Sequence, residues 1–260
     1  MRMIRSAGLA LLAVLAMGAF ASAAASAVPE LGRCVPVETP KTGEYAGAHC
    51  TKPAGGKGGY NFIPGPGAKP KFEGTSTDVA VLEMPKLKVS CSAATFNGEY
   101  TGAKTASVVV TLIGCINPAT GKKCQSNPAK EGEIETPGSL EGEIGFISVN
   151  SKRGVGLDLK RSPAIVVFTC GEPAELPEVT ATVEGSVIAQ LVPLNVMREE
   201  VRLRYKTLAG KQVPEAFEGG SKDTLSVNLI SGLTTTTEEA ALKIKLIEIL
   251  NEEPIEIKAK

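Results

Sequence analysis

An all-β fold, an antiparallel β-sandwich or barrel-like domain with a loop-rich, disulfide-stapled N-terminal region, is what this 260-residue chain predicts. Three observations lead there. Short apolar runs recur along the chain, each bounded by a turn signal such as glycine or proline. Several of them alternate apolar and polar residues, the two-residue period of a half-buried strand. Helical periodicity is hard to find outside one C-terminal stretch.

The chain opens "MRMIRSAGLALLAVLAMGAFASAAASAVPE", with Arg2 and Arg5 ahead of an apolar run and then small residues. That is the three-part pattern of a secretory leader, with cleavage expected after Ala27. The apolar run is about 14 residues long, short of the ~20 that a spanning helix needs. No later stretch reaches spanning length, so no transmembrane span is expected in the mature chain. The expected organisation is a leader over 1–27, a stapled region over 28–75 and a main antiparallel β domain over 76–260.

From Val28 to about Phe72 the chain is rich in glycine and proline and reads as loops lying on the main domain. Its "AGGKGG" lacks the following Gly-Lys-Ser/Thr of a phosphate loop and reads as a turn. In "KLKVSCSA", Leu87, Val89, Cys91 and Ala93 alternate with Lys88, Ser90 and Ser92, so one face is buried and the other wet. Asn97-Gly98 then predicts a type I′ hairpin turn into "KTASVVVTLIGC". The hexamers Gly43–Ala48 ("GEYAGA") and Gly98–Ala103 ("GEYTGA") nearly repeat, and both read as turn chemistry with a glycine required by the backbone. Further strands are expected in "GEIETP", "SLEGEIGFISV", "GVGLDL", "AIVVFTC", "EVTATVEGSVIAQL", "EVRLRYK" and "TLSVNLI". The C-terminal "TTTTEEAALKIKLIEILNEEPIEIKAK" carries a helix start signal, but its β-branched alternation favours a terminal hairpin with a bulge at Leu246-Ile247.

All six cysteines, Cys34, Cys50, Cys91, Cys115, Cys124 and Cys170, lie beyond the leader, and an even set in an exported chain predicts three disulfides. Of the fifteen pairings that six cysteines allow, the expectation is Cys34 with Cys50, Cys115 with Cys124, and Cys91 with Cys170. The first two close short loops, and the third joins two apolar strands. No C-x-x-C pair occurs and His49 is the single histidine, so no metal site is expected.

Lys plus Arg and Asp plus Glu both number 28, and removing Arg2 and Arg5 leaves a slight acidic excess. Such a chain has no electrostatic case for nucleic acid or an anionic membrane. The one basic stripe, Arg202, Arg204 and Lys206 on the wet side of "EVRLRYK", is a candidate surface for an anionic polymer, weighed against a solvated or edge-protecting strand face.

Catalytic signatures are sparse. A serine triad needs a histidine base, and His49 stands beside a disulfide cysteine. Paired carboxylates need only two acids at the right separation, and Glu133 and Glu143 repeat an "EGEI" context. A sugar site also wants aromatic platforms, and the chain has no tryptophan and four tyrosines. No calcium loop, nucleotide motif or other cofactor signature occurs.

Several blocks, among them "GEYTGAKTASVVVTLIGC", "SLEGEIGFIS", "EGSVIAQLVPLNVM", "KQVPEAFEGGSKDTL" and "NEEPIEIK", resemble a family of uncharacterised secreted actinobacterial proteins. The resemblance implies export and a β-rich architecture, and it brings no activity, cofactor or catalytic residue. The expected function is an exported, non-enzymatic binding or structural module at or outside the cell envelope, with an envelope polymer or a protein as partner. The alternative is a secreted carboxylate-dependent hydrolase acting on envelope or environmental polysaccharide.

Overall fold

The computed structural model describes residues 29–149, 152–171, 179–214, 216–220 and 224–259, so the expected leader lies outside the described residues. The chain order is β1 (Glu30–Pro36), β2 (Gly43–Tyr45), β3 (Pro53–Gly58), β4 (Tyr60–Pro64) and β5 (Lys71–Ser76). There follow β6 (Ala80–Glu83), β7 (Lys88–Cys91), β8 (Ala93–Tyr100), β9 (Thr105–Ile113), β10 (Cys124–Ser126) and β11 (Glu133–Glu135). Next come β12 (Leu140–Val149), β13 (Lys152–Lys160), β14 (Val166–Cys170) and β15 (Val179–Val192). The last four are β16 (Arg198–Leu208), β17 (Lys211–Val213), β18 (Leu225–Ser231) and the 25-residue β19 (Thr234–Lys258).

The strand pairings, all antiparallel, close on themselves twice. In the first ring β5, β8, β9, β12, β13, β15, β16 and β19 pair in that order, and β19 returns to β5. In the second, β10 pairs β14, then β15, β18, β19, β6 and β7. Two single-residue bridges complete it, Ser90 to Ile116 and Ile116 to Lys123. Closure removes exposed sheet edges, which are otherwise sites of aggregation.

Two long strands belong to both rings. Ser186 to Val192 of β15 pair within the first ring, and Val179 to Gly185 pair within the second. In β19, residues 244–251 serve the first ring and residues 234–243 the second. The rings are thus joined through two shared strands around one continuous core. An apolar cavity of about 60 Å³ remains at the junction, lined from both rings by residues such as Leu82, Phe96, Val183, Tyr205 and Leu242.

The sequence reason is alternation. In β9, Ala106, Val108, Val110 and Leu112 are buried, and the residues between them are at most half-buried. Outward positions on β12 and β16 carry Glu141, Glu143, Arg202 and Arg204, none of them buried. Apolar inside and charged outside is the reverse of a membrane-spanning barrel.

The C-terminal stretch is one continuous strand, which corrects the expected self-contained hairpin: β19 makes its hairpin with β18 and then runs on to meet β6, β16, β5 and β1. The phase slip is nonetheless where alternation breaks. Leu203 lies opposite Ile247 and Tyr205 opposite Ile244, so β19 carries one more residue than β16 between those pairs. Both isoleucines stay buried because the bulge absorbs the extra residue.

Residues 30–64 are built of short strands rather than loops alone. β1 pairs with both β19 and β4, while β2 pairs with β3 and β4. In "AGGKGG" the turn is held within β3: Pro53 lies opposite Tyr45 and Gly58 opposite Gly43, so residues 54–57 bulge out against Glu44 alone, with Gly55 and Gly56 at positive φ. β5, still within the expected stapled region, is already a strand of the first ring.

The disulfides are Cys34–Cys50, Cys91–Cys115 and Cys124–Cys170, with no free cysteine. The first agrees with expectation, and the pairings Cys115–Cys124 and Cys91–Cys170 are corrected. Cys124 and Cys170 are direct cross-strand partners in β10 and β14. Cys91 follows Ser90, which bridges to Ile116 beside Cys115. Cys115 and Cys124 do meet, but through the backbone: the Cys124 amide donates to the Cys115 carbonyl at 2.9 Å. All four cysteines thus gather where the second ring is closed by single bridges, and the covalent links reinforce its thinnest side.

The Asn97-Gly98 turn is also corrected. Both residues lie inside β8, opposite Val109 and Val108, and the hairpin turns over residues 101–104. Gly98 is present for space: a Cβ there would sit 2.4 Å from the Ser107 carbonyl oxygen and 2.7 Å from the Phe72 ring. Gly43 is hemmed in likewise, 2.6 Å from the Tyr60 backbone. Both hexamers therefore read as a crowded strand glycine, a strand tyrosine and then a turn. Each tyrosine grips the terminal strand, Tyr100 through Asn251 and Tyr45 through Lys258.

Candidate functional site

The basic stripe stands where alternation placed it. In β16, Val201, Leu203 and Tyr205 are buried, while Arg202, Arg204 and Lys206 are exposed. The structure adds what the linear pattern did not connect. With Tyr205 opposite Ile244, the exposed Lys243 and Lys245 of β19 lie on the same outer face. Lys243 and Lys245 occupy the polar positions of the C-terminal alternation, but which strand lies beside them is a non-local fact.

Beyond Tyr205 the two strands part as β19 turns toward β6, and the buried Gln212 fills the gap. Its Nε2 donates to the carbonyls of Lys206 at 3.0 Å and Leu242 at 3.1 Å, and its Oε1 accepts from the Leu242 amide at 2.8 Å. A side-chain carboxamide thereby replaces a missing stretch of ladder and holds the two basic strands together.

Acidic neighbours neutralise only one end. Arg202 pairs with Glu200 at 2.7 Å and stands opposite Glu248. Among the described residues Arg204, Lys206, Lys243 and Lys245 form no ion pair. Four exposed, uncompensated cations on adjoining strands repel one another. An anionic partner relieves that repulsion, and salt screens it.

The other sequence candidates have structural positions. All six cysteines are in disulfides. His49 accepts a hydrogen bond at Nδ1 from the Met197 amide at 3.1 Å, which ties the stapled region to the entry of β16. Glu133 pairs with Lys130 at 3.9 Å and Glu143 with Lys160 at 3.3 Å. Glu133 lies opposite Ile113 and Glu143 opposite Thr105, at the two ends of β9. Strand rise puts those ends roughly 27 Å apart, so the two cannot flank one scissile bond.

A buried titratable cluster went unnoticed in the sequence because it joins the two ends of the described chain. Glu30 lies opposite Lys258, and Gly32 opposite Glu256. The Lys258 ammonium stands 3.8 Å from the Tyr45 ring centroid and 4.4 Å from that of Phe62, and it is bonded to the Tyr45 hydroxyl. Glu256 is fully buried with no hydrogen bond to either carboxyl oxygen among the described residues. Desolvation pushes its pKa up to about 7, against the smaller opposing pull of Lys258. The cluster fastens β1 onto β19.

The described helix-free chain contains no helix long and apolar enough to cross a membrane, and its three disulfides mark an oxidising compartment. Comparison with protein-family models, curated proteins and solved structures gives no match.

Proposed function

We propose that the protein is an exported, non-enzymatic binding module of the cell envelope, and that the face formed by β16 and β19 takes an anionic envelope polymer. The observation that carries this reading is the group Arg204, Lys206, Lys243 and Lys245, exposed on adjoining strands with no acidic partner among the described residues. Export is supported by the leader-like N terminus, by the resemblance to secreted proteins and by the disulfides. Strands held in closed rings give the cations a fixed spacing, which lowers the ordering cost of binding.

The test is co-sedimentation of the disulfide-intact mature protein with isolated envelope material and with a purified polyphosphodiester wall polymer, across a salt series. Retention that weakens as salt rises, and that falls about tenfold in Arg204→Glu with Lys245→Glu, is the expected result. Retention indifferent to both salt and charge reversal would overturn the reading.

A further inference from the structure

The outer face of the second ring has a different chemistry. Thr169 of β14 lies opposite Thr180 of β15, which lies opposite Ile230 of β18, which lies opposite Thr235 of β19. The next row, two residues along, is Val167, Thr182, Asn228 and Thr237. All eight side chains point outward, because the residues between them, such as Phe168, Ala181 and Leu229, are buried in the core. None is charged, although 22% of the chain is, and the outer face of the first ring is dense with charge. Val167 and Ile230 stand 45% and 46% exposed within this face.

We propose that this threonine face is a second docking surface, and that its occupant is an uncharged polysaccharide. This goes beyond the polyanion reading of the basic face and does not depend on it.

The lack of cations argues against a polyanion here. The row bordering the face is Glu184, Ser226 and Glu239, in register across β15, β18 and β19. Glu239 is paired with Lys211 at 3.7 Å, so the border adds little field, and the face itself offers neither a polyanion nor a polycation an opposite charge.

Composition argues against a second copy of the chain. Homodimer interfaces are markedly apolar at their centre. Only Val167 and Ile230 are apolar among the eight.

A neutral sugar chain presents hydroxyls alternating with C–H patches, and threonine offers a hydroxyl and a methyl from one carbon. Five threonines occupy positions on a grid of about 4.8 Å between strands and about 6.8 Å along them, Thr169, Thr180 and Thr182 on one side of Ile230 and Asn228, and Thr235 and Thr237 on the other. Their β-branched side chains are stiff at χ1, so little rotamer freedom is lost on contact. The Thr237 hydroxyl already donates to Asn228 Oδ1 at 2.6 Å and is left to accept, while the other four threonine hydroxyls can donate or accept as the sugar requires. Val167 and Ile230 supply the apolar contact that aromatic platforms provide elsewhere.

The experiment is retention of the disulfide-intact mature protein on microcrystalline cellulose and on chitin, at low and at high salt. The expected result is retention on at least one matrix that is unchanged by salt. It should fall about tenfold in Ile230→Glu and in the volume-conserving pair Thr180→Val with Thr182→Val. Lys243→Glu with Lys245→Glu should leave it unchanged, which separates this face from the basic one whatever the fate of the polyanion reading. Unfolding midpoints of the variants keep loss of fold apart from loss of binding. Absence of retention on both matrices would overturn the proposal, as would retention abolished by salt or indifferent to both face variants. A concentration-dependent dimer that Ile230→Glu dissociates would also overturn it, by assigning the face to a second copy.

Discussion

The Tyr100 hydroxyl donates to Asn251 Oδ1 at 2.9 Å, joining β8 to β19 across 151 residues of sequence inside the core. Asn251 in turn donates through Nδ2 to the Glu199 carbonyl, so one buried amide ties together three strands of the first ring. Tyr100→Phe leaves Asn251 Oδ1 without its donor and should destabilise the fold by about 1 to 3 kcal/mol. Asn251→Ala should cost at least as much, and the double variant less than the sum of the two. Chemical unfolding of all three measures the coupling, and strict additivity would contradict it.

Gln212 offers a test of side-chain ladder replacement. Gln212→Ala strips partners from the Lys206 and Leu242 carbonyls and the Leu242 amide, at a cost of about 2 to 4 kcal/mol. Gln212→Glu keeps the volume but sets carboxylate oxygens against two carbonyls, so it should be no better tolerated than alanine. Thermal unfolding compares them, and a harmless Gln212→Glu would show that packing alone matters there.

Glu256 gives stability a pH dependence of definite sign. Its folded pKa of about 7 lies above the ordinary glutamate value, because burial disfavours the charged form. Below the unfolded pKa the group is protonated in both states and its contribution is fully retained. The contribution is lost as pH rises through about 7. Unfolding midpoints should therefore fall between mildly acidic and mildly alkaline buffer, and Glu256→Gln should flatten that fall. Lys258 is the charge that opposes the shift, and a wild-type profile already flat over this range would refute the assignment.

Peptide mapping under non-reducing conditions should yield Cys91 linked to Cys115 and Cys124 linked to Cys170, together with Cys34–Cys50. Replacing Cys124 and Cys170 by serine opens a long loop and should cost about 3 to 4 kcal/mol on the chain-entropy estimate. Recovery of a Cys91–Cys170 peptide would contradict the ring closure described above.

Within the basic face the residues should not be equal. Arg202 is already paired with Glu200, whereas Arg204 has no ion pair among the described residues. Arg204→Gln should therefore weaken polymer retention more than Arg202→Gln does, measured at low salt. The opposite ranking would place the contact elsewhere.

Alternation made most strands legible, because a half-buried strand writes its two faces directly into sequence; β9 and β16 are the clearest cases. Relations between strands were not legible. Cys91 and Cys170 both lie on apolar strands, and nothing local tells which neighbour each strand has. Lys243 and Lys245 alternate with apolar residues in the sequence, yet their place beside Arg204 depends on the register of Tyr205 against Ile244. Asn97-Gly98 misled for a physical reason. Glycine serves both positive-φ turns and close contacts, and here the Phe72 ring and the Ser107 carbonyl required the missing side chain.

The sharing of β19 by both rings sets an order of events during biosynthesis. Residues 234–258 follow every other described strand, and neither circle of strands is complete before they arrive. The nascent chain can form the β8–β9 and β12–β13 hairpins as it emerges, but both must wait with the core open. Native structure therefore comes late and all at once. A polypeptide held open until this strand is made remains threadable through a narrow pore until then.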